Sequence, residues 1–252
     1  MIRKLSSHVD DDDIVAIGID GLYGGSGIPV DKDGSVLGPA LIWMDRRATA
    51  ETEQVKQLVS DKELMDVTAN LADPYYGYTK LMWLKKHKLA LYQQTDQFLP
   101  PESFIIRELT GQTSINYSAA GNLAGIFDIN KDEWSTELAD KLGLDVSKLP
   151  QKFVTSTEIA GQVTEEWGQR LGIKSGTPVF NTGVDVGPAT VGTGVIKPGK
   201  VTVALGTSMN AALVTKKPLC NNGLIIWPYA YNPKGLYLSL IHISEPTRHS
   251  LI

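Results

Sequence analysis

Short β-rich runs alternate along this chain with amphipathic stretches, several of which end at a glycine. That alternation restricts the fold more than any other feature. The strand-like runs are IVAIGID (14–20), TPVF (177–180) and KVTVALG (200–206). Helical spacing of apolar residues marks RATAETEQVKQLVSD (47–61), YTKLMWLKKHK (78–88), PESFIIRELTG (101–111), STELADKLGL (135–144) and TEEWGQRLGI (164–173). Pro101 and Gly111 are the usual punctuation of a helix start and stop. The order predicts an α/β layered fold. The first run, ending at a glycine, reads as a buried strand. DKDG (31–34) has turn chemistry, so residues 27–43 read as a hairpin, with Trp43 at the end of its second strand. VTVALGTSMNAALV (201–214) reads as two strands around a turn, and residues 224–240 as a further strand pair.

Composition excludes several classes. The chain of 252 residues has a formal net charge of -4 with Lys and Arg scattered, so no basic stripe marks a nucleic-acid partner. No apolar run approaches the ~18 residues of a membrane span. The start, MIRKLSSHVDDDD, lacks the apolar core of a signal peptide. One cysteine, Cys220, makes no internal disulfide, and four dispersed histidines give no Cys/His metal spacing. The expectation is a soluble, cytoplasmic protein.

The chemistry-bearing stretch is NTGVDVGPATVGTGV (181–195). Asp185 follows a strand and Gly183 and opens a small-residue helix. A carboxylate among glycines and apolar residues is costly unless paired, solvated or used. It can cap the helix, and it can serve as a general base; the residues alone leave both readings open. Gly206, Thr207 and Ser208 lie between two apolar strands. They suit a phosphate-cradling turn, and they equally suit a plain hairpin turn. No G-x-x-x-x-G-K-[ST] loop, complete G-x-G-x-x-G, H-E-x-x-H or G-x-S-x-G element occurs. Clusters at 43–47, 73–76 and 116–120 place carboxylate, aromatic and hydroxyl groups at element ends, which suits a polyhydroxylated ligand.

Taken in order, AIGIDGLYGG, PALIWMDRRA, DPYYGYTKLMWL, LPPESFIIRELTG, INYSAAGNLAGIFDINKDEWS, LGIKSGTPVFNTGVDVG and VALGTS resemble the FGGY family of carbohydrate kinases, most closely its xylulokinase-like branch. The resemblance is continuous over roughly residues 12 to 215. It implies a ribonuclease H/actin-like ATPase fold of mixed sheets flanked by helices, in which sugar binds to the first of two domains and ATP to the second. Asp185 falls on the family's catalytic aspartate, the general base, and Gly206, Thr207 and Ser208 on its second phosphate loop. Tyr75 matches an aromatic of the sugar pocket, and Asp45 follows the strand that borders it. Tyr23 stands where many xylulokinases carry the histidine of a Met-His pair that contacts sugar, so the exact acceptor is open. The implied reaction phosphorylates D-xylulose to D-xylulose 5-phosphate, with ATP and nucleotide-bound Mg²⁺ as cofactors and no metal held by the protein itself. Ribulose, gluconate, glycerol or another polyol is the alternative acceptor. A homodimer is an option for the full-length parent.

The resemblance also implies a division into 1–195, the sugar-binding domain, and 196–237, the beginning of an ATP-binding domain. The family's first phosphate loop has no counterpart, so the chain reads as a fragment with no kinase activity of its own. LSLIHISEPTR (238–248) resembles the translation of a sequencing-library adapter, and residues 238–252 are therefore expected to be an artefact. The Asp run at 10–13 reads as the end of a connection whose helix is missing. Two further readings share the fold, a catalytically dead sugar-binding protein and an actin-like structural ATPase.

Overall fold

Glycine stops expected from the sequence close three of the helices in the computed structural model, which describes residues 2–10, 13–22, 24–205, 209–220 and 223–243. The chain begins with helix α1 (Ile2–Ser6), strands β1 (Ile17–Gly21) and β2 (Ile28–Val30), and helices α2 (Thr49–Leu58), α3 (Asp61–Thr68), α4 (Gly77–His87) and α5 (Leu89–Gln94). Next come β3 (Gln97–Leu99), α6 (Pro101–Thr110), β4 (Ile115–Asn116), α7 (Tyr117–Leu123), β5 (Phe127–Asp128), β6 (Glu133–Trp134) and α8 (Thr136–Leu142). The remainder is β7 (Phe153–Val154), β8 (Ile159–Gln162), α9 (Glu165–Leu171), β9 (Pro178–Val184), α10 (Val186–Gly192), β10 (Val201–Leu205), β11 (Met209–Thr215), β12 (Ile225–Pro228) and β13 (Tyr237–Ile243).

Local chemistry explains the ends. Ser135 and Thr164 accept hydrogen bonds from Leu138 N–H and Trp167 N–H and so cap α8 and α9. Gly111, Gly143 and Gly172 close α6, α8 and α9 in the left-handed conformation that glycine adopts without a Cβ clash. Two sheets dominate. In the first, β9 is the middle strand, parallel to β1 and antiparallel to β8. In the second, the order is β10-β11-β13-β12 and every pair is antiparallel. Helix α6 packs on the first sheet, where Ile106, Ala160, Val163 and Val179 form a small buried cluster. Helix α7 packs on both β9 and β12. One larger apolar cluster runs from Leu41 through Tyr78, Leu123 and Phe127 to Ala212, Trp227 and Leu240, and β9 reaches it through Val184. No helix of the described residues is long and apolar enough to cross a membrane.

Several expectations need correction. β1 is a half-buried edge strand, not a buried one: among the described residues it pairs only with β9, and Val15 just before it is 78% exposed. A helix, α1, does precede the Asp run, and the Ser6 hydroxyl donates to Leu171 C=O at 2.6 Å. The turn at 31–34 forms, with Gly34 N–H donating to Asp31 C=O at 3.0 Å, but it closes only a single bridge, Val30 to Val36. β2 pairs instead with β3, and residues 37–43 form no strand leading into Trp43. Val30 and Phe98 are buried by that pairing, whereas Val36 and Ile42 remain exposed, so the second arm of the expected hairpin gains little from a ladder. The strand pair within 224–240 forms as β12 and β13. Of residues 238–252, expected to be an artefact on sequence grounds, 238–243 lie in β13 with Leu238 and Leu240 buried, and 244–252 lie outside the described residues.

Candidate active site

β9 delivers Asp185 through a bulge. Its register with β1 runs Ile19 to Asn181 and then Asp20 to Gly183, so Thr182 is the extra residue. Gly183 has φ of 85°, and a Cβ there would stand 2.1 Å from Ser118 Oγ and 2.6 Å from Asn116 Oδ1. Only glycine permits this approach. The polar bed beneath is closed: Val184 N–H donates to Ser118 Oγ at 3.1 Å, Ser118 Oγ donates to Asn116 Oδ1 at 2.8 Å, and Asn116 Nδ2 donates to Asn181 C=O at 2.8 Å. Asp185 N–H then donates to Gly21 C=O at 3.1 Å. The backbone of Asp185 is thus held from two strands.

Its side chain is exposed, which answers why a charge is tolerated beside a buried strand: water solvates it. Oδ1 accepts Val186 N–H at 2.7 Å at the start of α10. The cap expected from the sequence thus forms through Oδ1.

Tyr75 is held by the loop before α4. Asp73 Oδ1 accepts Tyr75 N–H at 2.7 Å, and both Asp73 oxygens accept from Arg46 Nη2 at 3.0 and 3.1 Å. The ring lies 6.5 Å from Trp43 and edge-on to Tyr76 at 5.1 Å. Gly24, with φ of 78°, leaves room for it, since a Cβ there would stand 2.9 Å from the Tyr75 ring. Burial pushes the Tyr75 hydroxyl up to about 12; the nearby Asn122 amide pulls it down, and the Asp185 and Asp73 charges push it further up. The Asn122 side chain is close enough to act on the phenol, yet neither of its amide atoms reaches hydrogen-bond geometry with a described residue. Asp185 and Tyr75 thus share one electrostatic environment. A cleft of about 630 Å³ opens beside Tyr75, lined by Trp43, Arg46, Asp73 and Tyr76 and closed by Leu224 and Ile225. Asp185 is not among its lining residues.

Asp45 is half-buried and engaged by one partner. Arg47 Nε donates to both of its oxygens, at 2.9 and 2.8 Å, and Arg47 N–H to Oδ1 at 3.0 Å. The Arg47 side chain is the main reason the Asp45 carboxyl sits below its ordinary range. Its charge also faces Lys80.

Two residues carry more than their sequence positions announce. Lys80 is wholly buried in α4, and Glu102, which reads as ordinary helix-start punctuation, is 1% exposed. Neither Glu102 oxygen has a hydrogen-bond partner among the described residues. Burial pushes its carboxyl up to about 8; the Asp20 and Asp185 charges add to that, against its own backbone N–H. Only the packing of α6 on β1 makes this position interior, so no sequence signal marked it.

Tyr23, Gly206, Thr207 and Ser208 lie outside the described residues. On either side of the last three, β10 and β11 pair antiparallel up to Leu205 and Met209. The described residues hold no cluster of three or more His, Cys, Asp or Glu side chains suited to a metal ion.

The profile of the FGGY family of carbohydrate kinases, N-terminal domain, matches residues 1–192. Among curated proteins, the xylulose kinase of Staphylococcus xylosus is 31% identical over 208 residues, 82% of this chain and 42% of that protein. The xylulose kinase of Bacillus subtilis (strain 168) is 29% identical, with the same coverage of 82% and 42%. Among solved structures, the xylulose kinase from Rhodospirillum rubrum superposes with a TM-score of 0.87 at 20% identity, covering 97% of this chain and 49% of that one. The gluconate kinase from Lactobacillus acidophilus does so with a TM-score of 0.83 at 23% identity, covering 95% and 48%. This chain spans less than half the length of these relatives.

Proposed function

Because the chain belongs to the FGGY family of carbohydrate kinases, whose N-terminal domain profile covers residues 1–192, we propose that it forms the sugar-binding part of an ATP-dependent sugar kinase with Asp185 as general base. The observation that supports this most is the placement of Asp185. Its backbone is fixed by Gly21, its carboxylate is exposed, and its charge reaches the Tyr75 hydroxyl. A sugar hydroxyl is a weak nucleophile, and a carboxylate within hydrogen-bond reach takes its proton as the new bond to phosphorus forms. Tyr75 and Trp43 supply the aromatic wall against which a sugar ring or chain packs, and we assign Asp45 and Tyr23 to sugar binding on the family resemblance. ATP with its Mg²⁺ supplies the transferable phosphoryl group when bound. The residues we assign to its phosphates are Gly206, Thr207 and Ser208, between β10 and β11 in the sequence.

The acceptor we assign is D-xylulose, supported by the names of the relatives in Staphylococcus xylosus and Bacillus subtilis. The domain division follows the same reading, with 1–195 on the sugar side and 196–237 opening the nucleotide side. The test is a titration of tryptophan fluorescence with D-xylulose, D-ribulose, gluconate and glycerol. D-Xylulose should bind most tightly, with Tyr75→Ala abolishing the response. Sugar-dependent ADP release by a protein that contains these residues should fall about 10²–10⁴-fold in Asp185→Asn, the usual contribution of a general base. ADP release that ignores both sugar and Asp185 sinks the reading.

A further inference from the structure

Lys80 stands out among the buried ionisable groups because its head group is saturated by backbone. The side chain has no exposed surface. Its Nζ donates to Gly24 C=O at 2.8 Å, to Pro74 C=O at 2.9 Å and to Tyr75 C=O. Two of these acceptors flank the aromatic wall of the cleft, and the third belongs to the glycine against which the Tyr75 ring rests. An ammonium has three N–H donors and no acceptor. A neutral amine has two donors and a lone pair, which would face a carbonyl oxygen. Three carbonyls around one nitrogen therefore fit the charged form alone.

We infer that Lys80 is a positioning residue for the sugar pocket: its ammonium ties the Gly24 loop to the Asp73–Tyr76 loop, so the pocket is assembled while Lys80 is charged and loosens when it is not. The inference rests on the reading that Tyr75 lines the acceptor site. The surroundings bring the titration into an accessible range. Burial pulls the Lys80 ammonium down to about 7, with Arg46 adding to this and the Asp45 and Asp73 carboxylates opposing it. The charged groups facing it are these three, Asp45 and Arg46 from the segment after Trp43 and Asp73 from the loop before α4. The Tyr75 phenol, whose ring centroid is 6.0 Å from Nζ, stays protonated through the same range. Leaving two loops untied lowers the fraction of chains competent to bind, and apparent affinity falls by that fraction.

The experiment is a sugar titration with D-xylulose from pH 6 to pH 9, on the wild-type chain, Lys80→Met and Glu102→Gln. Glu102 is included because its carboxyl titrates in the same window. Wild type and Glu102→Gln should weaken together, approaching tenfold per pH unit above the Lys80 midpoint. Lys80→Met should bind weakly with no such slope. A wild-type affinity that is flat from pH 6 to pH 9, or a Lys80→Met chain that binds like wild type at pH 6, overturns the inference. Amide hydrogen exchange at Ser26, Tyr75 and Tyr76, whose N–H groups donate to Leu41 C=O, Asp73 Oδ1 and Asp73 C=O, provides a readout without sugar over the same pH range. Protection there should be lost with the Lys80 titration and be absent in Lys80→Met, even if D-xylulose proves not to be the ligand. Protection that is unchanged in the variant also overturns it.

Discussion

Asn70 holds Ile226 as a strand neighbour would: its Oδ1 accepts Ile226 N–H at 2.9 Å and its Nδ2 donates to Ile226 C=O at 2.8 Å. The two residues are 156 positions apart, and Asn70 is buried. The same Oδ1 accepts from the Tyr76 hydroxyl at 2.8 Å, so one amide joins the strand β12 to the loop that carries Tyr75.

Asn70→Ala should therefore destabilise the chain by about 3 kcal/mol, because it leaves the buried N–H and C=O of Ile226 and the Tyr76 hydroxyl without partners. Asn70→Asp should cost at least as much, since a second oxygen would then face the Ile226 carbonyl. Urea unfolding followed by circular dichroism measures both. A loss below about 1 kcal/mol in either variant would show that water or a shifted side chain replaces the amide.

Glu102 sets a pH dependence of stability with a definite sign. Its carboxyl rests at about 8 in the folded chain, above the ordinary 4.5. A raised carboxyl binds more protons folded than unfolded, so its contribution is fully present below about 4.5 and is lost as pH rises toward about 8. Over that interval stability should fall by a few kcal/mol. Glu102→Gln removes the titration, so it should flatten the curve and be the more stable protein at pH 9. Parallel curves for the two proteins would refute the assignment.

The charge of Asp185 contributes to that raised value, although less than burial does. Asp185→Asn keeps a helix-capping side chain and removes the charge. It should lower the pH at which the Glu102-dependent loss of stability occurs while changing stability little at pH 5. An unchanged midpoint would mean that solvent screens the two groups from each other.

Sequence patterns made the helices and the hairpin β10–β11 legible because caps, glycine stops and apolar spacing are local. Asp185 was legible as a helix start after a strand for the same reason. Lys80 and Glu102 were not. Each reads as an ordinary solvated charge on an amphipathic helix, and only the packing of α4 and α6 against loops and β1 makes them interior. The expected hairpin over 27–43 failed for a related reason: β3, distant in sequence, offers β2 a buried ladder that residues 37–43 cannot. The bulge that turns Asp185 outward has a trace in the sequence, Gly183, but its meaning depends on Ser118 and Asn116, more than sixty residues away.

Gly183→Ala tests that dependence directly. An alanine at φ of 85° is strained, and its Cβ would stand 2.1 Å from Ser118 Oγ, the atom that accepts Val184 N–H. Left-handed backbone costs about 1 kcal/mol for a residue with a Cβ, and overpacking a buried site adds roughly 1–3 kcal/mol. Pairing it with Ser118→Ala divides the overpacking between its two sources. The serine change removes the nearest clashing oxygen but leaves Asn116 Oδ1 2.6 Å from the new Cβ and the Val184 N–H without its acceptor, so the double variant should recover only part of the overpacking and keep the backbone cost. The chain should tolerate Gly183→Ala only by moving the end of β9, which carries Asp185 with it. Sugar binding and the Glu102 titration should then change together. A Gly183→Ala protein that loses stability but keeps both properties would show that the bulge supports the strand without aiming Asp185.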